Sequence, residues 1–337
     1  MKNDNGGIIN VYKPVGMTSF GVVSRIRRLV GVKKVGHCGT LDPFAEGVLP
    51  ICIGRATAAV QYMDQYDKHY RVEMVFGMET DTQDRTGNAI STNMPTREDI
   101  SQLINDNHAP LYKAVNDLIG TNEQLPPMYS AIKVNGKPLY EYARQGLDIE
   151  RKKRSITIYD AKIINVLANE DLRATVDIHC SKGTYIRTIC TDIGRSLSYG
   201  AYANSLLRTA CGPFTVDNCI TLEQIEELLK RRTQNPVEEL HKDETQNPME
   251  ILHQKGWLIP TEFAMSHMQK VHLDKMQSLR IIQGQKVNYM QKVPLNQPLV
   301  TFYGQDRFIG ITKGSDYMDQ ETVLSADRIF VDILDFQ

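Results

Sequence analysis

The stretch Gly36-His-Cys-Gly-Thr-Leu-Asp42-Pro-Phe-Ala-Glu-Gly-Val-Leu-Pro50 sets a single Asp into a Gly-rich loop. Pro43 locks its own φ and pushes Asp42 towards extended backbone, while Gly36, Gly39 and Gly47 permit angles and close approaches that side chains resist. Leu41 and Phe44 flank the acid with apolar surface. The pattern describes a stiff loop presenting one carboxylate at a defined angle. An Asp-Pro step of this kind is by itself a turn, and its surroundings decide whether it is a reagent.

On the N-terminal side, Ile8–Tyr12 reads as a short strand ended by Lys13-Pro14 and a turn at Gly16. Thr18 or Ser19 can cap a helix whose Val22, Val23, Ile26, Leu29 and Val30 share one face, and Gly31 sits where helices commonly end. On the C-terminal side follow the apolar run 48–53, an alternating strand at 70–76 and a polar loop at 80–87. Asn135-Gly136 is a hairpin signal leading to a helical stretch with Tyr140 and Tyr142. Residues 172–180 alternate cleanly, and Lys182-Gly183 turns the chain into a helix starting around 184–187. Thr221-x-x-Gln224 is a capping-box pattern ahead of Leu222, Ile225, Leu228 and Leu229.

From 231 to 256 the composition turns polar, with Gln-Asn-Pro at 234–236 and again at 246–248, which marks a linker. Strand-like runs at 298–303, 307–312 and 329–334 then suggest a small β-rich module. The expected division is a catalytic domain over 1–230, a polar linker over 231–256 and a β module over 257–337.

At 337 residues, with 41% hydrophobic and 23% charged residues, the chain reads as an ordinary globular protein long enough for two domains. It has no apolar run of membrane-spanning length and no signal-peptide core at its start, so a cytoplasmic location is expected. Six cysteines without C-x-x-C spacing point to reduced thiols and to no metal site. The net charge of −1 hides an asymmetry. Residues 1–60 hold eight Lys/Arg against three acids, and residues 222–256 hold eight acids against five bases. A basic face able to meet phosphates therefore stays open.

Several segments together resemble the TruB-type tRNA pseudouridine-55 synthases. His37-Cys-Gly-Thr-Leu-Asp42-Pro-x-Ala-x-Gly47 is similar to that family's active-site signature, and Lys13-Pro14 to its N-terminal Lys-Pro motif. Lys68-His-Tyr70-Arg-Val resembles the tyrosine motif and Ser181-Lys-Gly-Thr-Tyr185-Ile-Arg187 the arginine motif. Asn204-Ser-Leu206-Leu-Arg208 resembles the leucine-bearing strand that closes the site, and the C-terminal module looks like a PUA domain. The resemblance implies an α/β (α+β) pseudouridine synthase fold, with a mixed, largely antiparallel sheet carrying a catalytic cleft, and a small β-barrel-like PUA domain behind it.

It also implies roles. Asp42 would be the nucleophile, forming a transient covalent adduct that splits one hard step into easier ones; attack on ribose and attack on base both stay open. Such an acid must be ionised, so a neighbouring cation, Arg187, is expected to hold its pKa down. Tyr70 would stack on the flipped uracil, with a second role as general base for the C5 proton. Base flipping is required because a stacked nucleotide hides its glycosidic bond. His37 would fill the vacated space, Tyr185 and Leu206 would wall the uracil pocket, and Lys13 and Pro14 would support the Asp42 loop. The expected partner is the T-arm of tRNA, with no cofactor, no membrane, no obligatory protein partner and a monomeric state. The rival readings are a guide-RNA-dependent relative sharing the catalytic motifs and a non-catalytic tRNA-binding or tRNA-folding protein.

Overall fold

The computed structural model describes residues 6–168, 171–233, 247–290, 299–318 and 321–331. The chain opens with β1 (Gly6–Lys13), α1 (Ser19–Val30), β2 (Val35–His37), β3 (Glu46–Gly54) and α2 (Val60–Met63). β4 (Lys68–Phe76) precedes a hairpin of β5 (Met78–Thr80) and β6 (Ala89–Thr92), then α3 (Arg97–Asn105) and α4 (Ala109–Asn116). β7 (Gly120–Gln124) leads to the small hairpin β8 (Lys133–Val134) and β9 (Lys137–Pro138), closed at Asn135-Gly136, and to α5 (Leu139–Ala143). Next come β10 (Arg154–Ala168), β11 (Leu172–Cys180), α6 (Ile186–Ser196) and β12 (Ala201–Cys211). β13 (Phe214–Thr215), β14 (Ile220–Thr221), α7 (Leu222–Thr233) and α8 (Pro248–Gln254) complete this part.

The main sheet runs β14-β1-β3-β12-β4-β11-β10-β7, with β2 paired to β3 and β13 to β12. Only the β1–β14 and β3–β12 pairings are parallel, so the sheet is mixed and largely antiparallel. On β11 the expected alternation is exact in burial: Leu172, Ala174, Val176, Ile178 and Cys180 all point into one core with α6. α1 begins where Thr18 accepts from Gly21 N–H at 2.9 Å and ends at Gly31, whose φ of 69° suits the left-handed cap. Its Val22, Val23, Ile26 and Val30 pack on β1 and β3 in a second core. Thr221 and Gln224 form their reciprocal pair of hydrogen bonds at the start of α7.

Residues 234–246 of the expected linker lie outside the described residues. On its far side, α8 is capped by Asn247 and buries Met249 and Leu252 against the apolar face shared with α1.

The small module holds α9 (Thr261–Ala264), β15 (Lys270–Leu273), α10 (Lys275–Ile282), β16 (Val287–Tyr289), β17 (Leu299–Gly304), β18 (Arg307–Met318) and β19 (Glu321–Ile329). Its five-stranded sheet is ordered β15-β17-β18-β19-β16 around its own apolar core, in keeping with the PUA-like expectation. The third strand differs from the sequence reading. It spans Glu321–Ile329 instead of 329–334, and residues 332–334 lie outside the described residues. Pairing with β18 sets the ladder, while the apolar Phe330 and Val331 lie buried just beyond it, Phe330 N–H donating to the Ile309 carbonyl at 2.9 Å. Phe330 and Ile311 join Ile8, Tyr62 and Met63 in a cluster that seats this module on the larger part. The Tyr62 hydroxyl donates to Asp327 and the Tyr66 hydroxyl to the Ala264 carbonyl across the same seam.

Candidate active site

The loop carrying Asp42 is braced from three directions. Ser19 Oγ donates to the Leu41 carbonyl at 3.0 Å and accepts from Leu41 N–H at 2.8 Å. Gly16 N–H donates to the Pro43 carbonyl at 2.7 Å. Below, the wholly buried Lys13 Nζ donates to the carbonyls of Pro14 at 2.9 Å, Pro43 at 3.4 Å and Ala45 at 2.5 Å. Burial pulls the Lys13 ammonium down to about 8, with Asp42 and Glu46 pulling the other way, so it stays charged at neutral pH. A buried ammonium shared by three carbonyls is a strut that replaces the hydrogen bonds a tight loop cannot make to itself. Lys13→Met should therefore leave three carbonyls without that donor and cost about 3 kcal/mol. In a chain of this size that is a fall of roughly 4 °C in the thermal midpoint. Scanning calorimetry checks it; an unchanged midpoint would show that the loop does not depend on the strut.

Above the strut, Asp42 Oδ2 meets Arg187 Nε at 2.8 Å. Arg187 lies in the first turn of α6, is 3% exposed, and its other two nitrogens are already committed, Nη1 to the Thr82 carbonyl at 2.6 Å and Nη2 to the Tyr129 carbonyl at 2.8 Å. Asp84 lies 3.9 Å from Nη1 and accepts instead from Thr82 and Thr86. The guanidinium is thus held from behind and offers its edge to Asp42. The expected cation is present, yet the direction of the shift corrects the sequence reading. Burial pushes the Asp42 carboxyl above the ordinary carboxylate range, Arg187 and Lys13 pull it back, and Asp84 adds to the rise. The Asp42 side chain keeps 35% of its surface exposed, so solvent moderates the penalty and the acid's free edge faces outward.

Tyr70 and Leu206 stand on the neighbouring strands β4 and β12 and share a core with Leu41, Phe44 and Ala45 of the loop. Tyr70 is 9% exposed; burial pushes its phenol up and Arg208 pulls it back. Tyr185 immediately precedes α6, its backbone N–H and carbonyl both held by the Gln124 side chain at 2.8 and 3.0 Å. Burial also raises the Tyr185 phenol, with Arg187 and Asp42 among its charged neighbours. Asp42, Tyr70, Tyr185, Arg187 and Leu206 are therefore one neighbourhood. His37 ends β2, paired with Ile51, where burial and then Arg208 keep its imidazole below its usual pKa and hence neutral at pH 7. Pro14 contributes a carbonyl to Lys13.

Three contributors carried no signal of their own in the sequence. Thr82 and Tyr129 act through backbone carbonyls, which any residue could supply. Asp84 sits in what reads as a polar loop, though Thr80-Asp-Thr-Gln-Asp-Arg-Thr is dense in residues that bond their own backbone. The basic N-terminal face is also smaller than its charge count. Lys13 is buried, and Arg25 forms a bidentate pair with Glu226 of α7 at 2.7 and 2.8 Å. Part of the acidic segment therefore neutralises part of the basic one.

Among the described residues no His, Cys, Asp and Glu side chains gather as a metal site. What the geometry offers is one outward-facing carboxylate, a cation behind it, and an aromatic and an aliphatic wall beside it. The TruB family pseudouridylate synthase N-terminal domain matches residues 27–186. The tRNA pseudouridylate synthase B C-terminal domain matches 187–253, and the pseudouridine synthase II TruB C-terminal domain 270–318. The tRNA pseudouridine synthase B of Alkaliphilus oremlandii is 39% identical over 318 residues, 92% of this chain and 94% of that protein. The protein of the same name from Bacillus subtilis is 47% identical over 222 residues, 65% of this chain and 70% of that one. The crystal structure of a Cbf5-Nop10-Gar1 complex shares the fold, with a TM-score of 0.71 at 22% identity over 99% of this chain and 87% of the matched one. On the strength of a 39% identical relative matched along nearly its whole length, the chain belongs to the TruB family of pseudouridylate synthases.

Proposed function

We infer that this chain isomerises uridine to pseudouridine in tRNA, at position 55 of the T-loop, working in the cytoplasm without cofactor, guide RNA or protein partner. The observation that carries the reading is the Asp42–Arg187 pair at 2.8 Å, on a loop braced by Lys13 and Ser19 and packed against Tyr70 and Leu206. The names of the curated relatives support tRNA as the substrate.

In this reading the target nucleotide leaves its stack and enters beside Tyr70, whose ring supports the uracil face while Leu206 and Tyr185 wall the edges. The Asp42 carboxylate attacks the nucleoside and the N1–C1′ bond breaks. The base turns, C5 bonds to C1′, and Asp42 departs as the carboxylate it was. C5 then gives up its proton and N1 gains one, so substrate and product are isomers and no other reagent is consumed. Arg187 balances the charge of Asp42 before attack and after release. His37 fills the space the base has left, and the exposed Arg28, Lys33 and Lys34 meet phosphates, which position the RNA without reading it.

The test is pseudouridine mapping at single-nucleotide resolution on an unmodified tRNA transcript incubated with the purified chain alone. Product at position 55 is expected. Product only after a guide RNA and partner proteins are added would favour the guide-dependent reading, and bound tRNA that stays unmodified in every mixture would favour a binding or folding protein.

A further inference from the structure

Arg208 heads the largest wholly buried side chains of the protein, at 1% exposure, and no carboxylate ion-pairs with it among the described residues. A guanidinium placed so deep without an anion is costly unless its donors are fully used. They are used at both ends of the Asp42 loop. Nε donates to the Val48 carbonyl at 2.7 Å, and Nη2 donates to the Gly39 carbonyl at 3.1 Å and the Cys38 carbonyl at 3.4 Å. Across the sheet Arg208 is the register partner of Tyr70, and its charge pulls the Tyr70 phenol back from the rise that burial imposes.

Strand register explains why one residue can touch all of these. On β12, Arg208 stands opposite Tyr70 of β4 on one side and Gly47 of β3 on the other. Gly47 has a φ of 102°, and a Cβ there would lie 2.4 Å from the Arg208 carbonyl, so loop and strand are in backbone contact. A Cβ on Gly39 would lie 3.0 Å from Nη1. Gly39 thus leaves room for the guanidinium, and Gly47 for the backbone of the strand that carries it.

We propose that Arg208 is a positioning residue for the isomerisation: anchored to the two ends of the Asp42 loop, it orients the Tyr70 hydroxyl, so that nucleophile and tyrosine meet the substrate in one fixed relation. A plain structural brace would need the carbonyl bonds only. Its place opposite Tyr70 adds a link between the two groups that face the uracil. This inference rests on the function proposed above and names a residue that acts through Tyr70 without touching the substrate.

The experiment is single-turnover pseudouridine formation on unmodified tRNA for the full chain and its Tyr70→Phe, Arg208→Lys and doubly substituted forms, with tRNA affinity measured on the same preparations. Each single substitution should slow the reaction about 10- to 100-fold, the scale of a small misplacement of a reacting group. Affinity should stay within about twofold, a loss in the chemical step and not in binding. The double variant should be no slower than the slower single one, because both remove the same held hydroxyl. Independent, multiplying losses would overturn the proposal and leave Arg208 as a brace of the loop alone. Tyr70→Phe reacting at the unaltered rate would overturn it as well, and that arm keeps every carbonyl bond of Arg208, so it decides even if Arg208→Lys fails to fold. Inactivity of the unaltered chain would instead overturn the proposed function.

Discussion

Asp42→Asn should end pseudouridine formation, with a loss of about 10⁴-fold or more, while tRNA still binds. The amide matches the carboxylate in shape and its oxygen still accepts from Arg187 Nε, so the loop keeps its bracing from Ser19, Gly16 and Lys13. What disappears is the nucleophile, for which the site holds no substitute. Asp42→Glu should also fail, by about 10²-fold, because the added methylene displaces a carboxylate whose backbone cannot move to compensate. Single-turnover mapping beside a filter-binding assay separates the two readouts. Product from the Asn variant at a tenth of the normal rate would remove Asp42 from the chemistry.

The second large effect is expected from Arg187→Gln. Burial already lifts the Asp42 carboxyl above its ordinary range, and Arg187 is its principal counterweight. Without that cation the carboxyl rises further, helped by Asp84, and more of it is protonated and inert at neutral pH. The rate should fall about 10²- to 10³-fold at pH 7, and part of the loss should return as the pH is raised, because deprotonation restores the nucleophile. A pH-independent loss would show that Arg187 acts only as a strut. Stability should suffer too, by about 3 kcal/mol, the lower end for breaking a buried pair, since Asp42 retains access to water. For the unaltered protein the linkage has a definite sign. The folded Asp42 binds its proton more tightly than the unfolded chain does, so its contribution to stability is greatest below pH 3.8 and declines as pH rises through its folded pKa. At neutral pH the ionised nucleophile is thus a cost to folding, and urea titrations of wild type and Asp42→Asn across that range measure it.

Much of this was legible in the sequence, for identifiable reasons. The Asp42 loop announces itself through Gly, Pro and a lone acid, and β11 through strict alternation, since both are local patterns. α1 and its caps follow from Thr18, its apolar face and Gly31. The eight named site residues came from motif order, and five of them share one neighbourhood. What stayed hidden depends on distant pairing. Arg208 lies inside a recognised motif, but its meaning arises only when β12 sets it between Tyr70 and Gly47. The direction of the Asp42 shift needed its burial as well as its cation. β19 was misplaced because its residues are ordinary, and its register comes from β18.

Arg187 bonds to residue 42, to residue 82 and to residue 129, three stretches that have nothing in common along the chain except this one side chain. During synthesis the Asp42 loop therefore emerges long before its cation, and until α6 docks the carboxylate lacks the guanidinium that balances it. The reactive group is armed by the last of these segments to leave the ribosome. The pair forms only when four separate parts of the chain have found their places, so competence doubles as a report that these parts have come together.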